Sequence, residues 1–407
     1  MNPEDLLTET LHDRVERTDY PSTPLSAVAG RAGAIRARRR RTTVLAAAAA
    51  VAVVVVPGAV WLGRSPGSSP QPSQSLSSGP STDPTAPTLA EPLPLSALPL
   101  GQKPGIDYLV GDTYVTMSGD RITDAVFGNA TTATPVRDGI LASVPPAPGL
   151  MAQDGIAGTY LVSDAHHQYL GCGSDRFAMS TDGVQSAYWL ADSCPVADTV
   201  AGALYSGVDN TMGESGPGRV VTPVGTQVTP VGIVQQGVVT DVVHGPAESV
   251  QVVDSSGHRS PVTGLARAGG SDENHDVLSG QLASDVNTGA IVDAATGAVQ
   301  VRVPGWTLGQ FSSDGRYVLG DQPRNGPTSD AIAVFDARTG HKVADLNRPG
   351  GPGVTLGQPA WDVDDTVLAV ADSTEGSTIV RFDLQGHVTR ATSVSHASGA
   401  YRLATRP

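Results

Sequence analysis

Phe311-Ser-Ser-Asp-Gly-Arg-Tyr-Val-Leu319, followed by Val334-Phe-Asp-Ala-Arg-Thr-Gly-His341, is the stretch that decides the fold. It reads as an aromatic residue, a tight acidic turn, a strand, and then a second strand that ends in another turn. In the second turn Asp336 bonds the backbone two residues on, and Gly340 supplies the positive φ that the turn needs. The pattern returns downstream. Trp361-Asp-Val-Asp-Asp-Thr-Val-Leu-Ala369 repeats the first half and Arg381-Phe-Asp-Leu-Gln-Gly-His387 the second. Thr307-Leu-Gly-Gln310 likewise returns as Thr355-Leu-Gly-Gln358, 48 residues later.

Two earlier copies of the turn are Val253-Asp-Ser-Ser-Gly-His258 and Val292-Asp-Ala-Ala-Thr-Gly297. The turn aspartates stand at 254, 293, 336 and 383, spaced by 39, 43 and 47 residues. A repeat of this length made of short strands and turns is one four-stranded blade of a β-propeller. From Gly101 onward, runs rich in Val, Thr, Tyr and Ile alternate with Gly, Asp and Pro, and no amphipathic helix is evident. The region 101–407 therefore reads as an all-β propeller of about seven blades. Before residue 245 the pattern is looser, with Tyr108–Val115 and Thr159–Ser163 as blade strands.

On Phe311-Ser-Ser-Asp314-Gly315, Val334-Phe-Asp336 and Thr339-Gly340, the chain resembles the WD-repeat-like and TolB-like β-propellers over 250–390, and only weakly over 101–250. True WD repeats end a strand with Trp-Asp after an upstream Gly-His. Here Trp361-Asp362 opens a turn and the Gly-His pairs follow one, so the resemblance implies the architecture and not the WD hydrogen-bond network.

Ahead of the propeller lie three segments. Val44–Leu62 reads VLAAAAAVAVVVVPGAVWL, long enough to cross a hydrocarbon core of roughly 30 Å as a helix. Arg38, Arg39, Arg40 and Arg41 stand before it and only Arg64 just after, which places the N-terminus in the cytoplasm and the large domain outside. Trp61 occupies the place of an interfacial anchor. A cleaved signal peptide fits poorly, because some forty residues precede the span and no A-x-A site lies near Ala59. A buried core helix, kinked at Pro57, remains the other alternative. The expected organisation is a cytoplasmic basic arm at 1–41, a transmembrane signal anchor at 42–63, a disordered Ser/Pro/Thr linker at 64–100, and the extracytoplasmic propeller at 101–407.

The arm holds two short helical patterns, and Leu7, Leu11 and Val15 share one face of the first. It is either a topogenic tail or a docking peptide for a partner. A short arm, one span and an exported domain are similar in layout to actinobacterial membrane proteins that accompany extracytoplasmic-function sigma factors. That likeness implies a cytoplasmic regulator such as a sigma factor as a partner. The arm lacks the H-x-x-x-C-x-x-C of zinc-type anti-sigma domains, having His12 and no cysteine.

Charge is divided along the chain, whose formal net charge is −14. Residues 1–41 carry eight arginines and six acids, while the other 18 basic and 34 acidic residues follow. An acidic exterior argues against nucleic acid as a ligand; the arginine block reads as a topology signal that also meets anionic lipid headgroups of the bilayer. Cys172 and Cys194 are the only cysteines, and in an oxidising compartment they are expected to pair, closing a loop worth roughly 3 kcal/mol; two free buried thiols is the alternative.

Candidate chemistry is sparse. His166-His167 beside Asp164 points to opposite faces of a strand, and Asp362, Asp364 and Asp365 fall on a recurring turn without EF-hand spacing. His258, His341 and His387 follow repeated turn glycines and read as exposed turn residues. No catalytic motif, metal set or cofactor signature is present in linear form. Three function classes stay open: a non-enzymatic binding or sensing protein for an extracytoplasmic ligand or protein, a tethered exported hydrolase or lyase, and a passive envelope scaffold.

Overall fold

The computed structural model describes residues 94–136, 139–145, 156–163, 166–180, 185–192, 202–208, 219–224, 227–244, 247–323, 329–346, 353–397 and 399–404. The basic arm with Leu7, Leu11 and Val15, the span with Arg38 to Arg41 and Trp61, and the linker up to residue 93 lie outside them. Among the described residues no helix is long and apolar enough to cross a membrane.

The domain is all-β and propeller-like: antiparallel meanders follow one another along the chain, and the first strands of successive sheets touch. Among the described residues three sheets have four strands. One is Val228–Val234, Gly237–His244, Ala247–Val253 and Arg259–Pro261, and the next is Leu265–Asp272, Val277–Leu282, Asp285–Asp293 and Val299–Pro304. The third joins Tyr108–Val110, Thr113–Val115 and Arg121–Thr123 to the C-terminal strand Tyr401–Leu403. An eight-stranded sheet runs from Thr132–Val136 to Arg219–Val224, and a nine-stranded one from Thr307–Phe311 to Val388–Arg390. Val228–Val234 packs on Leu265–Asp272, which packs on Thr307–Phe311.

The repeated turns form as their residues dictate. Each connects the third and fourth strands of its hairpin series. Asp254 Oδ1 accepts from the N–H of Ser256 at 2.8 Å and of His258 at 2.9 Å. Asp293 takes the N–H of Thr296 at 2.8 Å, Asp336 that of Thr339 at 2.8 Å, and Asp383 that of Gln385 at 2.9 Å. Gly257, Gly297, Gly340 and Gly386 all have φ between 70° and 88°, a region open to glycine at little cost. The aromatic–Asp turn also holds: Gly315 has φ 70°, and Asp364 and Asp365 have φ 66° and 56°.

Apolar clusters lie between neighbouring sheets. Trp189 and Leu204 pack on Ile233 and Val242; Val252 and Leu265 share another cluster, and Ile291, Phe311 and Phe335 a third. Two clusters bring together strands of one sheet. Val136 and Leu141 meet Tyr188 inside the eight-stranded sheet, and Leu319 and Val334 meet Leu356 and Phe382 inside the nine-stranded one.

Three expectations need correction. The ordered domain includes Pro94–Leu100, which had read as linker: Leu95 and Leu98 are 0% and 5% exposed, packed with Val354, Leu356 and Phe382. Pro99–Gly101 then runs beside Val388–Arg390, with Gly101 N–H donating to Arg390 O and Arg390 N–H to Pro99 O, both at 2.8 Å. Their surroundings, and not their own composition, order these residues. Tyr108–Val115 is two strands broken at Gly111, whose φ is 58°. A short helix, Ala125–Asn129, stands where no helix is expected; Asp124 Oδ1 caps it by accepting from Val126 N–H at 2.8 Å.

The two ends of the domain are fastened by arginines. Arg381 donates to the carbonyls of Gln102 at 2.7 Å and Lys103 at 2.8 Å and pairs with buried Asp362. Arg402, on the closing strand, donates to the carbonyls of Ala130, Phe127 and Gly111 at 2.7, 2.8 and 2.9 Å, so it also caps the short helix.

Candidate functional site

The duplicated Thr-Leu-Gly-Gln segment builds the inner wall. Leu308 and Leu356 are fully buried and anchor each copy. Two positions later Gln310 and Gln358 line the same cavity, of about 320 Å³. Its other walls come from Thr131 and Thr132, from Asp372 on Val367–Ser373, and from Tyr401 on the C-terminal strand. Strands from both ends of the domain therefore meet around it.

The spacing of the inner strands is set by glycine. A Cβ on Gly269 would lie 2.0 Å from Leu308 O, and one on Gly270 2.7 Å from Gly309 O. Only a residue without a side chain lets these backbones touch. Trp361, the aromatic of the second repeat, donates from Nε1 to Gln310 O at 3.1 Å and ties one copy to the other.

The polar equipment of the cavity is specific in kind. Asp372 Oδ1 accepts from Gly399 N–H at 2.9 Å, and its second oxygen carries no other hydrogen bond among the described residues. Gln358 is exposed and Gln310 half-buried. Thr132 Oγ1 donates to Asp175 O at 2.8 Å. Arg402 lines the wall, but both its Nη atoms serve backbone carbonyls, and burial lowers its pKa. Ala360, Val370, Leu403 and the Tyr401 ring complete an otherwise apolar lining.

The residues singled out in the sequence lie elsewhere. His166 and His167 are both exposed; His167 Nδ1 is 3.0 Å from Asp124 Oδ2. For Asp124, burial is the largest influence and raises the pKa, but the Val126 N–H and His167 together outweigh it, and the net shift is downward. His258, His341 and His387 are exposed turn residues, and His387 Nδ1 sits 2.7 Å from its own turn's Asp383. His275, in the turn before Val277–Leu282, lies 2.6 Å from Asp272. Asp362 is structural, with Arg381 and the N–H groups of Gly105 and Val363 as partners. Asp365 is pushed up by burial first and then by Asp314 and Asp364. Among the described residues no histidine lines the cavity, and no cluster of three or more His, Cys, Asp or Glu could hold a metal. Asp164 lies outside the described residues. Cys172 is disulfide-bonded; the other cysteine, Cys194, lies outside the described residues.

Sequence reasoning finds the Thr-Leu-Gly-Gln repeat but reads it as scaffold. Its convergence on a cavity depends on strand order, and Asp372 and Tyr401 carry no local signal at all.

No family model and no curated protein matches the chain. Several solved structures are similar to it. A TolB-assigned protein of Agrobacterium tumefaciens is 15% identical, over 56% of this chain and 84% of that one, with a TM-score of 0.36. The β-propeller domain of the trilobed protease from Pyrococcus furiosus is 8% identical over 64% and 83%, with a TM-score of 0.39. The acylaminoacyl peptidase of Pyrococcus horikoshii is 11% identical over 69% of this chain and 47% of that one, with a TM-score of 0.41. At such identities and TM-scores none of these likenesses bears on activity; the propeller-like arrangement is visible in the sheets themselves.

Proposed function

We propose that the chain is a membrane-anchored, extracytoplasmic seven-bladed propeller that acts as a non-enzymatic ligand-binding or sensing module. The observation that carries the binding role is the cavity whose lining includes Gln310 and Gln358, one from each copy of a duplicated segment, together with Asp372. Two-ended construction of its walls couples occupancy to the closure of the ring.

The clusters that join strands of one sheet support the count of seven blades. A count of seven takes each large sheet as two packed units, a reading supported by the clusters that Leu141 shares with Tyr188 and Val334 with Phe382. Two folded sheets and three four-stranded ones make seven blades. In this reading the partner of the disulfide-bonded Cys172 is Cys194. The arm at 1–41 faces the cytoplasm and docks a regulator such as a sigma factor through Leu7, Leu11 and Val15.

Reporter fusions after residues 30 and 90 test the topology, with an exported reporter expected to be active only at the second site. Affinity capture with residues 1–41 tests the arm. Recovery of one regulator, lost when Leu7 and Leu11 are changed to Asp, is the expected result; charge-driven background alone would confine function to the exported domain.

A further inference from the structure

We infer that residues 94–105 form a releasable strap: they leave the C-terminal strands as one unit while the ring stays closed, and so take up tension arriving along the chain ahead of Pro94. The source of that tension rests on the anchoring proposed above. The release belongs to the domain alone and is tested apart from it.

The strap lies along one part of the domain only. Leu95 and Leu98 pack with Val354, Leu356 and Phe382. Ser96 N–H donates to Glu375 Oε2 at 3.1 Å, and Arg390 Nε donates to Leu98 O at 2.9 Å. Leu100 then pairs in parallel with Arg390, Arg381 holds the carbonyls of Gln102 and Lys103, and Asp362 Oδ1 accepts from Gly105 N–H. Among the described residues every hydrogen bond that leaves the strap ends between Asp362 and Arg390.

At Asp107 the partners change. Its carboxylate accepts from the Tyr114 hydroxyl at 2.7 Å, and its carbonyl accepts from Ala404 N–H at 3.0 Å. The register pairs that close the ring begin just beyond, with Tyr108 opposite Leu403 and Val110 opposite Tyr401. Among the described residues no part of the strap contributes to that closure, so the closing contacts survive its departure.

The attachment is of the kind that opens locally. Leu95 and Leu98 are buried, but Ser96, Ala97 and all of Pro99–Lys103 are exposed, Leu100 by 65%. The strands beneath are buried throughout Val367–Ala371 and Gly376–Val380. Two buried side chains and a row of solvent-facing hydrogen bonds therefore give way before those strands do. Tension entering at Pro94 meets Leu95 first and Gly105 last. Release frees the N–H and C=O of Arg390, a strand edge that the strap otherwise covers.

The close seat of Gly101 supplies a substitution that lifts the strap and spares the ring. A Cβ there would lie 2.6 Å from Thr389 Oγ1 and 2.9 Å from Thr389 Cβ.

Hydrogen exchange of the full-length chain in detergent solution tests the release, in Gly101→Val and, as a second variant, in Arg390→Met, which withdraws the Leu98 bond. The expected result is exchange at the Gly101 and Gly105 amides at least about tenfold faster, with Tyr108–Val110 and Tyr401–Leu403 unchanged. Closing strands that accelerate along with the strap in both variants would make strap and ring one cooperative unit and overturn the inference. Unaltered rates at Gly101 and Gly105 in both variants would overturn it as well. Optical tweezers, with handles at Leu93→Cys and the C-terminus, test the response to tension. The strap spans at most about 43 Å when extended. The expected record has a first step no longer than that, at lower force in Gly101→Val, before the domain unfolds; unfolding in a single step would overturn the inference. The topology fusions described above decide the anchoring separately from both records.

Discussion

Arg381 and Asp362 form an ion pair in which the carboxylate is wholly buried and the guanidinium nearly so, with Arg381 Nε 3.0 Å from Asp362 Oδ2. The same guanidinium holds the carbonyls of Gln102 and Lys103, and the same carboxylate accepts Gly105 N–H at 2.8 Å. One pair thus fastens the segment entering the domain to its last strands.

Removing either partner leaves an uncompensated buried charge. Arg381→Ala or Asp362→Ala should each destabilise by about 3–5 kcal/mol, read from urea unfolding. Hydrogen exchange at Gly105 should accelerate in both. The double substitution Arg381→Met with Asp362→Leu should lose less than either single one.

Gly269→Ala forces a Cβ to within 2.0 Å of Leu308 O, a backbone atom that cannot swing away. Overpacking of this kind costs about 1–3 kcal/mol. The control is Gly128→Ala, where the nearest atom is 3.9 Å distant and the residue is helical. It should be neutral or mildly stabilising. A Gly269→Ala variant as stable as the Gly128→Ala control would show that the inner strands have slack.

The four turn aspartates give an acid-sensitive component. Hydrogen bonds from Ser256 and His258 lower the pKa of Asp254, and those from Thr296 lower that of Asp293. At Asp336 and Asp383 burial is the largest influence and acts upward, but the turn bonds together outweigh it. A folded pKa below the unfolded one means the folded state binds fewer protons. The stabilisation is then complete above the ordinary aspartate value of 3.8 and is lost as pH falls through the lower folded values. Replacing all four by Asn should flatten the fall in unfolding temperature below about pH 4.

Asp365 behaves oppositely. Burial, followed by Asp314 and Asp364, raises its pKa, so its charged form is disfavoured in the fold. Whatever stability its protonated form contributes is lost as pH rises through the folded value. Asp365→Asn should therefore raise the unfolding temperature at neutral pH, and the gain should vanish in acid. Its φ of 56° also suits Asn.

Legibility in the sequence followed the range of the interactions. The turns at Asp254, Asp293, Asp336 and Asp383 can be read because each is closed by bonds within four residues. Leu95 and Leu98 cannot, because Pro/Ser/Leu-rich composition reads as linker and their partners, Leu356 and Phe382, lie far along the chain. The helix Ala125–Asn129 is too short for an apolar period to show. Of the cavity, the two glutamines are visible as a repeat; Asp372 and Tyr401 join them only through strand order.

Closure of the ring by Tyr401–Leu403 against Tyr108–Val110 sets an order of events during synthesis. Gly111 and its partner Arg402 are 291 positions apart, so the edge of the first strand waits, unpaired, while nearly the whole domain is made. Contacts of such separation slow folding, and an open strand edge invites pairing with another chain. The interval before Arg402 arrives is therefore when this protein is most exposed to aggregation, and a chaperone that covers the Tyr108–Val110 edge would act there.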